Sequence, residues 1–412
     1  MISNNPVGII ELGNINIKCL IFQISNNNKI EILSTALTSS KGIHNGVIVN
    51  LASAANAIRS CIGEAEKKST ISLKKITVVL EQPEFLCTKF SKHRKINGSK
   101  IQKDDIDFLL KEAKKQVIFN DEKHSIIHIF NHNYIVDGKT FIDEPIGVYA
   151  DQLSHEMTFV TMPKNNIKNI NQTFLDCDIE VERYISSTFA LAVKLLNDND
   201  LKFGSTLINI GFEKISLGLF KNLALVHSTT FPIGINHFKK DIAKVCSLNL
   251  EESEHIINEI DFSFKNNEHL FEENKFLKDI YFKNSNFRKI SKSLILNVVK
   301  ARLDEILEII KKQIFGIGLS SFFKKNLFIT GGGSNLSNLE NYCSNFFNYD
   351  VKKLSNSFDN EDSESQGENK FDSCLGALKI IKEGWETEAL PKPGSKHREK
   401  TGFFAKIFGK RA

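Results

Sequence analysis

One pattern recurs along this chain, and it constrains the fold more than any other feature. Three short apolar runs, "VGIIELG", "IKCLIFQIS" and "KIEILSTAL", are separated by polar or glycine turns and read as a β-meander. A helical stretch, "LASAANAIRSCIGEAEKKS", follows, with Ala54, Ile58 and Ile62 spaced i, i+4, i+8. "KKITVVLEQP" is the next strand, and Pro83 marks its exit. The same opening returns in "STLINIGFEKISLGLFKNLALVHSTTFP", which holds three further strand candidates. Helical patterns run from about Ile235 to Ile260 and from Ser291 to Phe315. "NLFITGGGSNLSNLENYCSNFF" then closes the second unit as strand, glycine turn and helix. At 412 residues the chain exceeds what one core holds. The recurrence therefore predicts an α/β, two-lobed, duplicated fold with a cleft between its halves.

Residues 84–162 interrupt that plan with a strand, a helix ("DDIDFLLKEAKKQVI") and the runs "SIIHIFNHNYIVD" and "HEMTFVTMP". This is the pattern of a small inserted α+β subdomain. "SNSFDNEDSESQGENK" is acidic and poor in apolar residues, which predicts a mobile loop over 356–370. No apolar run approaches the roughly 20 residues of a membrane-spanning helix. The opening "MISNNPVGII" lacks the basic region and cleavage site of a signal peptide, so a cytoplasmic protein is expected. Seven scattered cysteines without a C-x-x-C pair point to reduced thiols, with neither disulfides nor a metal site.

The formal charge of +5 is concentrated at one end. Lys392 to Ala412 carries seven Lys or Arg and one Glu; the remainder holds 47 basic and 48 acidic residues. A neutral body argues against nucleic acid as a partner. A basic tail favours an anionic surface. The last residues, "TGFFAKIFGKRA", place Phe403, Phe404, Ile407 and Phe408 within an arc of about 140° on a helical wheel. Lys406 and Lys410 lie off that arc, and Arg411 falls over it at the fraying end. "PKPGSKHREK" before it reads as a solvated tether. Such a helix either docks on the protein's own core or lies on a membrane surface; the tether favours the second, where a helix this short would hold only with several tails presented together.

Two short motifs remain. "TGGGSN" (Thr330 to Asn335) lies between an apolar strand and a helix. Its Gly331, Gly332 and Gly333 either let backbone approach a ligand or simply make a tight turn. "IIELGNINIK" sets Gly13 at a strand–strand turn, after Glu11 and before Asn14 and Asn16, as in a phosphate-binding hairpin or an ordinary Asn-rich turn.

In this order, these pieces resemble the actin, heat-shock ATPase and sugar-kinase superfamily. The insert and the tail narrow the resemblance to the bacterial cell-division protein family FtsA, over essentially the whole chain. The family's D/E-I-G-T-x-K loop matches "ELGNIN", its D-I-G-G-G-T loop matches "NIGFEK", and its adenosine loop T-G-G-x-A/S matches "TGGGS". "FDSCLGALKII" resembles the helix that packs beside the first phosphate strand. "IIHIFNHNYIVDG" and "IDEPIGVYADQLSHEMTFVT" resemble the FtsA insert, which relatives such as MreB lack at this place. The resemblance implies ATP and Mg²⁺ as cofactors, with Gly13, Asn14, Asn16, Asn209, Gly211, Gly234, Glu254 and Gly331 to Gly333 as the nucleotide-binding positions. It also implies that Arg302 and Glu305, an R-x-x-E on the helix "VVKARLDEILEIIKKQ", dock the C-terminal peptide of the tubulin-like FtsZ. Residues 402–412, with Phe403, Phe404, Lys406, Ile407, Phe408, Lys410 and Arg411, would be the membrane foot on the inner membrane at the division site. Self-association into actin-like polymers is implied as well, as are contacts of the insert with other division proteins.

Against that pattern the chain departs at chemically important places. Asn14 and Asn16 stand where the family has Thr and Lys, so a phosphate-facing cation is missing. Asn209 replaces an Asp that would serve as base or bind metal through water. Phe212 and Glu213 replace two glycines, adding bulk and negative charge, and Lys214 offsets only part of that charge. "SEHII" keeps Glu254 but puts Ile257 at a lysine position. These residues argue against hydrolysis and predict a non-enzymatic adaptor with no catalytic residues. Arg302 and Glu305 are expected to be largely solvent-facing, as an i, i+3 pair. The expected division is 1–83 with 163–200 and 371–388 as lobe 1, and 84–162 as the insert. Lobe 2 has a core of 201–230 with 316–355 and an outer part of 231–315. The acidic loop is 356–370, the linker 389–401 and the terminal helix 402–412. The alternatives are an active ATPase or kinase of the superfamily, or a pilus-assembly scaffold like PilM.

Overall fold

The computed structural model describes residues 6–25, 29–316, 326–354 and 368–383. Most of the acidic loop, the linker and the membrane foot, including Phe403, Phe404, Lys406, Ile407, Phe408, Lys410 and Arg411, lie outside the described residues. The described residues divide into two compact units: those of Met1–Gly204, Gly218–Thr230 and Asn356–Ala412, and those of Ser205–Leu217 with Phe231–Ser355.

The first unit is built on β1 (Val7–Leu12), β2 (Asn16–Ile24) and β3 (Ile30–Ser39), an antiparallel meander. After a two-residue pair, β4 (Ile43–His44) and β5 (Val47–Ile48), α1 (Leu51–Ser69) packs on β2 and β3. Its start is fixed by Asn50, whose side chain accepts the Ser53 amide at 2.9 Å. Its inner face is Ala54, Ile58, Cys61, Ile62 and Ala65, the spacing legible in the sequence. Strand β6 (Lys75–Leu80) then runs parallel to β1.

The insert follows: β7 (Leu86–Lys100), α2 (Lys103–Asn120), β8 (His124–Val136), β9 (Lys139–Phe141) and β10 (Tyr149–Pro163). It forms its own sheet in the order β7-β10-β8-β9. The helix packs on that sheet over Leu109, Ala113, Tyr134, Leu153 and Met157. The chain then returns through α3 (Lys164–Leu175), β11 (Glu180–Ser186), α4 (Ser187–Leu195) and α5 (Asp198–Phe203), and β11 completes the first sheet in the order β11-β6-β1-β2-β3.

The second set of elements repeats this plan. β12 (Ser205–Ile210), β13 (Ile215–Lys221) and β14 (Ala224–Phe231) are the meander. α6 (Ile235–Cys246), α7 (Leu250–Glu259), the short pair β15 (Phe271–Glu272) and β16 (Phe276–Leu277), and α8 (Lys292–Gly316) come next. β17 (Leu327–Thr330), α9 (Leu339–Phe347) and β18 (Val351–Lys353) close it, and α10 (Asp372–Glu383) belongs to the first unit. The second sheet has the order β14-β13-β12-β17-β18, with β12, β17 and β18 mutually parallel; strand for strand this is the order of the first. The duplication is therefore real at the level of topology.

One sequence expectation fails here. The single helix expected from Ile235 to Ile260 is two helices. Ser247 takes a left-handed conformation (φ 48°) that ends α6, and Asn249 starts α7. Asn249 accepts the Glu252 amide at 2.7 Å while Glu252 accepts the Asn249 amide at 3.0 Å. Apolar periodicity runs through the break because both helices bury the same side, over Phe238, Ile242, Ile256 and Ile257.

Candidate functional site

The two glycine turns at the heads of the meanders have matching geometry. A Cβ on Gly13 would sit 2.5 Å from the Asn16 carbonyl oxygen, and one on Gly211 would sit 2.8 Å from that of Lys214. In both, the carbonyl three residues on closes over the glycine, so the duplicated hairpin keeps its backbone while its side chains diverge.

In the first hairpin the Asn14 amide donates to Asn45 Oδ1 at 3.2 Å, and Asn16 opens β2 opposite Ser39. Asn16 carries no charge at the family's lysine position, yet a cation stands close by. Lys18, two residues beyond Asn16 and on the same face of β2, donates to Glu11 Oε2 at 2.7 Å. Burial pulls the Lys18 pKa down, but the charge and hydrogen bond of Glu11, with Asp372 adding to them, leave it raised. A cation is present, bound to the loop's own acid. The pairing escaped the sequence reading because it needs the β1–β2 register, which sets Glu11 opposite Lys18.

The second hairpin is closed more thoroughly. The first amides of α6 donate back into it: Ile235 N–H to the Gly211 carbonyl at 3.1 Å and Asn236 N–H to that of Phe212 at 2.8 Å. Gly234 permits this approach, since a Cβ there would lie 2.4 Å from the Phe212 oxygen. Its own amide donates to His237 Nδ1 at 3.1 Å. Glu213 is mostly buried; its carboxylate accepts the Asn236 side-chain amide at 2.6 Å and lies 3.9 Å from Lys240 Nζ. Lys239 stands 5.0 Å over the Phe212 ring and donates to Glu254 at 2.9 Å. Glu254 thus holds a cation, though one from α6. Ile257, at the family's lysine position, is buried in the core of this unit.

Behind the hairpin, β17 ends at Thr330 and Gly331 turns with φ +89°, a conformation that suits glycine. A Cβ there would meet Asn209 Oδ1 at 2.3 Å and the Ile210 carbonyl at 2.6 Å. Gly333 is packed against Ile210 and Ile235, whereas Gly332 faces open space. A one-turn 3-10 segment, Gly332–Asn335, intervenes before α9, so no α-helix N-terminus directly follows the glycines. The Ser334 hydroxyl donates to the Gly331 carbonyl at 2.7 Å and locks the turn.

Arg302 lies on α8 but is not the solvent-facing group its spacing suggested. Its Nε donates to Asp241 Oδ2 of α6 at 2.5 Å and its Nη1 to Glu305 Oε2 at 2.5 Å. The hydrogen bond and charge of Asp241 raise its pKa further, and its side chain is 23% exposed while that of Glu305 is 53% exposed. Asp241 was not identified from the sequence; its i+4 spacing from His237 on α6 carries no sign of a partner 61 residues away.

The residues implied for ATP and Mg²⁺ do not fit those groups. Glu213 puts a carboxylate on the second hairpin, and Asn209 offers no anionic ligand to a metal ion. Among the described residues no group of three or more His, Cys, Asp or Glu is placed to hold a metal ion. Nor, among them, is any helix long and apolar enough to cross a membrane.

Residues 85–161 match the family model for the SHS2 domain inserted in FtsA, and residues 206–368 match that for cell division protein FtsA. The cell division protein FtsA of Buchnera aphidicola subsp. Schizaphis graminum is 25% identical over 351 residues, covering 83% of this chain and 82% of its own length. That of Borreliella burgdorferi is 23% identical over 412 residues, covering 99% and 98%. Among solved structures, the PilM–PilN type IV pilus biogenesis complex aligns at TM-score 0.63 with 12% identity, covering 92% of this chain and 99% of that one. MreB5 of Spiroplasma citri bound to ADP aligns at 0.51 with 13% identity, covering 92% and 98%. The solved structures identify an actin-like fold. Together with the insert and the matching body, the sequence comparisons place this chain in the FtsA family of cell-division proteins.

Proposed function

We propose that this protein is a non-catalytic adaptor of cell division. It binds the FtsZ C-terminal peptide on α8, self-associates into actin-like polymers and reaches the cytoplasmic face of the inner membrane through residues 402–412. The observation that carries this reading is Arg302. In a chain of the FtsA family, a partly exposed guanidinium on α8 is held by carboxylates on two helices, Asp241 and Glu305. Two of its five N–H donors are taken by these partners, which fix the plane of the guanidinium fork and leave three donors for the carboxylate of a peptide. The partly acidic character expected of the FtsZ tail suits that fork.

Titration of an FtsZ C-terminal peptide tests this. Reversing the charge with Arg302→Glu is expected to weaken binding by more than tenfold, about 1.4 kcal/mol or more. Equal affinity for the two proteins would refute the assignment. The membrane foot is tested separately by co-sedimentation with anionic vesicles. Removal of residues 401–412 is expected to abolish pelleting, and undiminished pelleting would remove the tail from the proposal.

A further inference from the structure

We propose that the protein is its own nucleotide substitute: each phosphate hairpin carries an internal counter-charge that fills the place of a ligand, and the fold is held without ATP. In the second unit the substitute is an anion. Helix α6 is twelve residues long, and its N-terminus is the kind of place where a phosphate is received, by free amides and a positive helix end. Here Ile235, Asn236 and His237 donate their amides to Gly211, Phe212 and Gly234 carbonyls, at 3.1, 2.8 and 3.0 Å. The carboxylate of Glu213 takes the remaining side-chain donor, Asn236 Nδ2, at 2.6 Å, with Lys240 as its cation. Asn236 is itself 7% exposed, so this contact lies inside the fold. A negative group at that end is favoured by the helix dipole, as a bound phosphate would be.

The first unit holds the complementary substitute, a cation. Glu11 stands at the acidic position of its hairpin, and Lys18 Nζ sits on it at 2.7 Å. Both side chains are largely buried, so neither charge is left for an incoming ligand without breaking the other's pair. Taken singly, either pair is a local ion pair. Together they place an internal anion and an internal cation at the duplicated hairpins that the superfamily uses for phosphate and metal. This extends beyond the adaptor reading and stands on different residues, since neither Arg302 nor the tail enters it.

Calorimetric titration and thermal unfolding decide the matter, with MgATP and inorganic pyrophosphate as probes on the full chain. The wild type is expected to show no binding heat and no rise in Tm with either. Glu213→Gly empties the anion position and is expected to gain pyrophosphate binding, seen as a Tm that climbs with its concentration. Glu213→Gln keeps the shape and the Asn236 contact but removes the charge. It is expected to unfold at lower temperature than wild type and to recover with added pyrophosphate, with circular dichroism showing an intact fold. Tight MgATP binding by the wild type would overturn the proposal. So would a Glu213→Gln protein that folds, melts as wild type and ignores pyrophosphate; that variant decides the outcome even if Glu213→Gly fails to fold.

Discussion

Glu252 shows how much a single side chain can organise. It is 1% exposed, yet it is ionised: burial pushes its pKa up, but hydrogen bonds from Ser285 Oγ and from the Asn284, Asn249 and Ser285 amides bring it down to about 2. These bonds pin the 284–285 loop to the first turn of α7. Because the folded pKa lies below the unfolded one, the stabilisation is fully present above about pH 4.5 and is lost as the pH falls toward 2. Glu252→Gln is expected to cost about 1–3 kcal/mol in urea unfolding at pH 7. The difference from wild type should shrink as the medium is acidified into that window; a constant difference would contradict the assignment. Within α7, Glu252 is the capping-box partner of Asn249. Its second set of partners lies more than thirty positions away, and nothing in local spacing announces them.

Among the elements, α10 depends on one close approach. It packs on α4 and β1, and a Cβ on Gly376 would stand 1.9 Å from the Ala190 carbonyl oxygen. Backbone meets backbone there, so no rotamer change relieves the clash. Gly376→Ala is expected to destabilise by about 1–3 kcal/mol or more, read from thermal unfolding, with loss of α10 docking. An unchanged midpoint would show that the helix has slack. Elements of this kind were the legible part of the chain: α1 occupies the very residues its i, i+4 pattern marked, and the insert follows the order of its apolar runs. The division of residues 235–260 was not legible, because hydrophobic spacing reports which side is buried and not where the axis bends. The candidate site was half legible. Its glycines are visible as residue types, but the pairing of Glu11 with Lys18 and of Glu213 with Asn236 depends on strand register and helix placement.

The molecule as a whole should respond to acid through histidine. His128 is held neutral, with a pKa near 3, by burial and by the Arg183 charge. Burial also lowers His155, His132 and His227 to about 4; nearby Lys89 lowers the last two further, against Glu156 at His132. His128 Nε2 accepts the Ser186 amide at 2.9 Å, and His155 stacks on Tyr134 at 4.3 Å between centroids. The unfolded chain protonates these rings near pH 6.5 while the folded one does not, so folding stability falls as the pH drops from about 6.5 to 4. Each ring contributes up to about 1.4 kcal/mol per pH unit across that range. Urea midpoints at pH 7, 6 and 5 should fall with increasing steepness, and a flat profile would show that these rings titrate freely when folded. All four lie in the first unit, three of them on the insert's strands, so its acid sensitivity should exceed that of the second.

The proposed internal charges of the two hairpins carry a further meaning for timing. An actin-like subunit that hydrolyses its nucleotide ages: the state of its phosphate records how long ago it joined an assembly. On the proposal that Glu213 and Lys18 stand in for a ligand, a subunit in an assembly of this protein would hold no such record, and a new copy and an old one would be the same molecule. Disassembly could not then be scheduled from within. It would be set by how many copies the cell keeps, and by partners that arrive and leave.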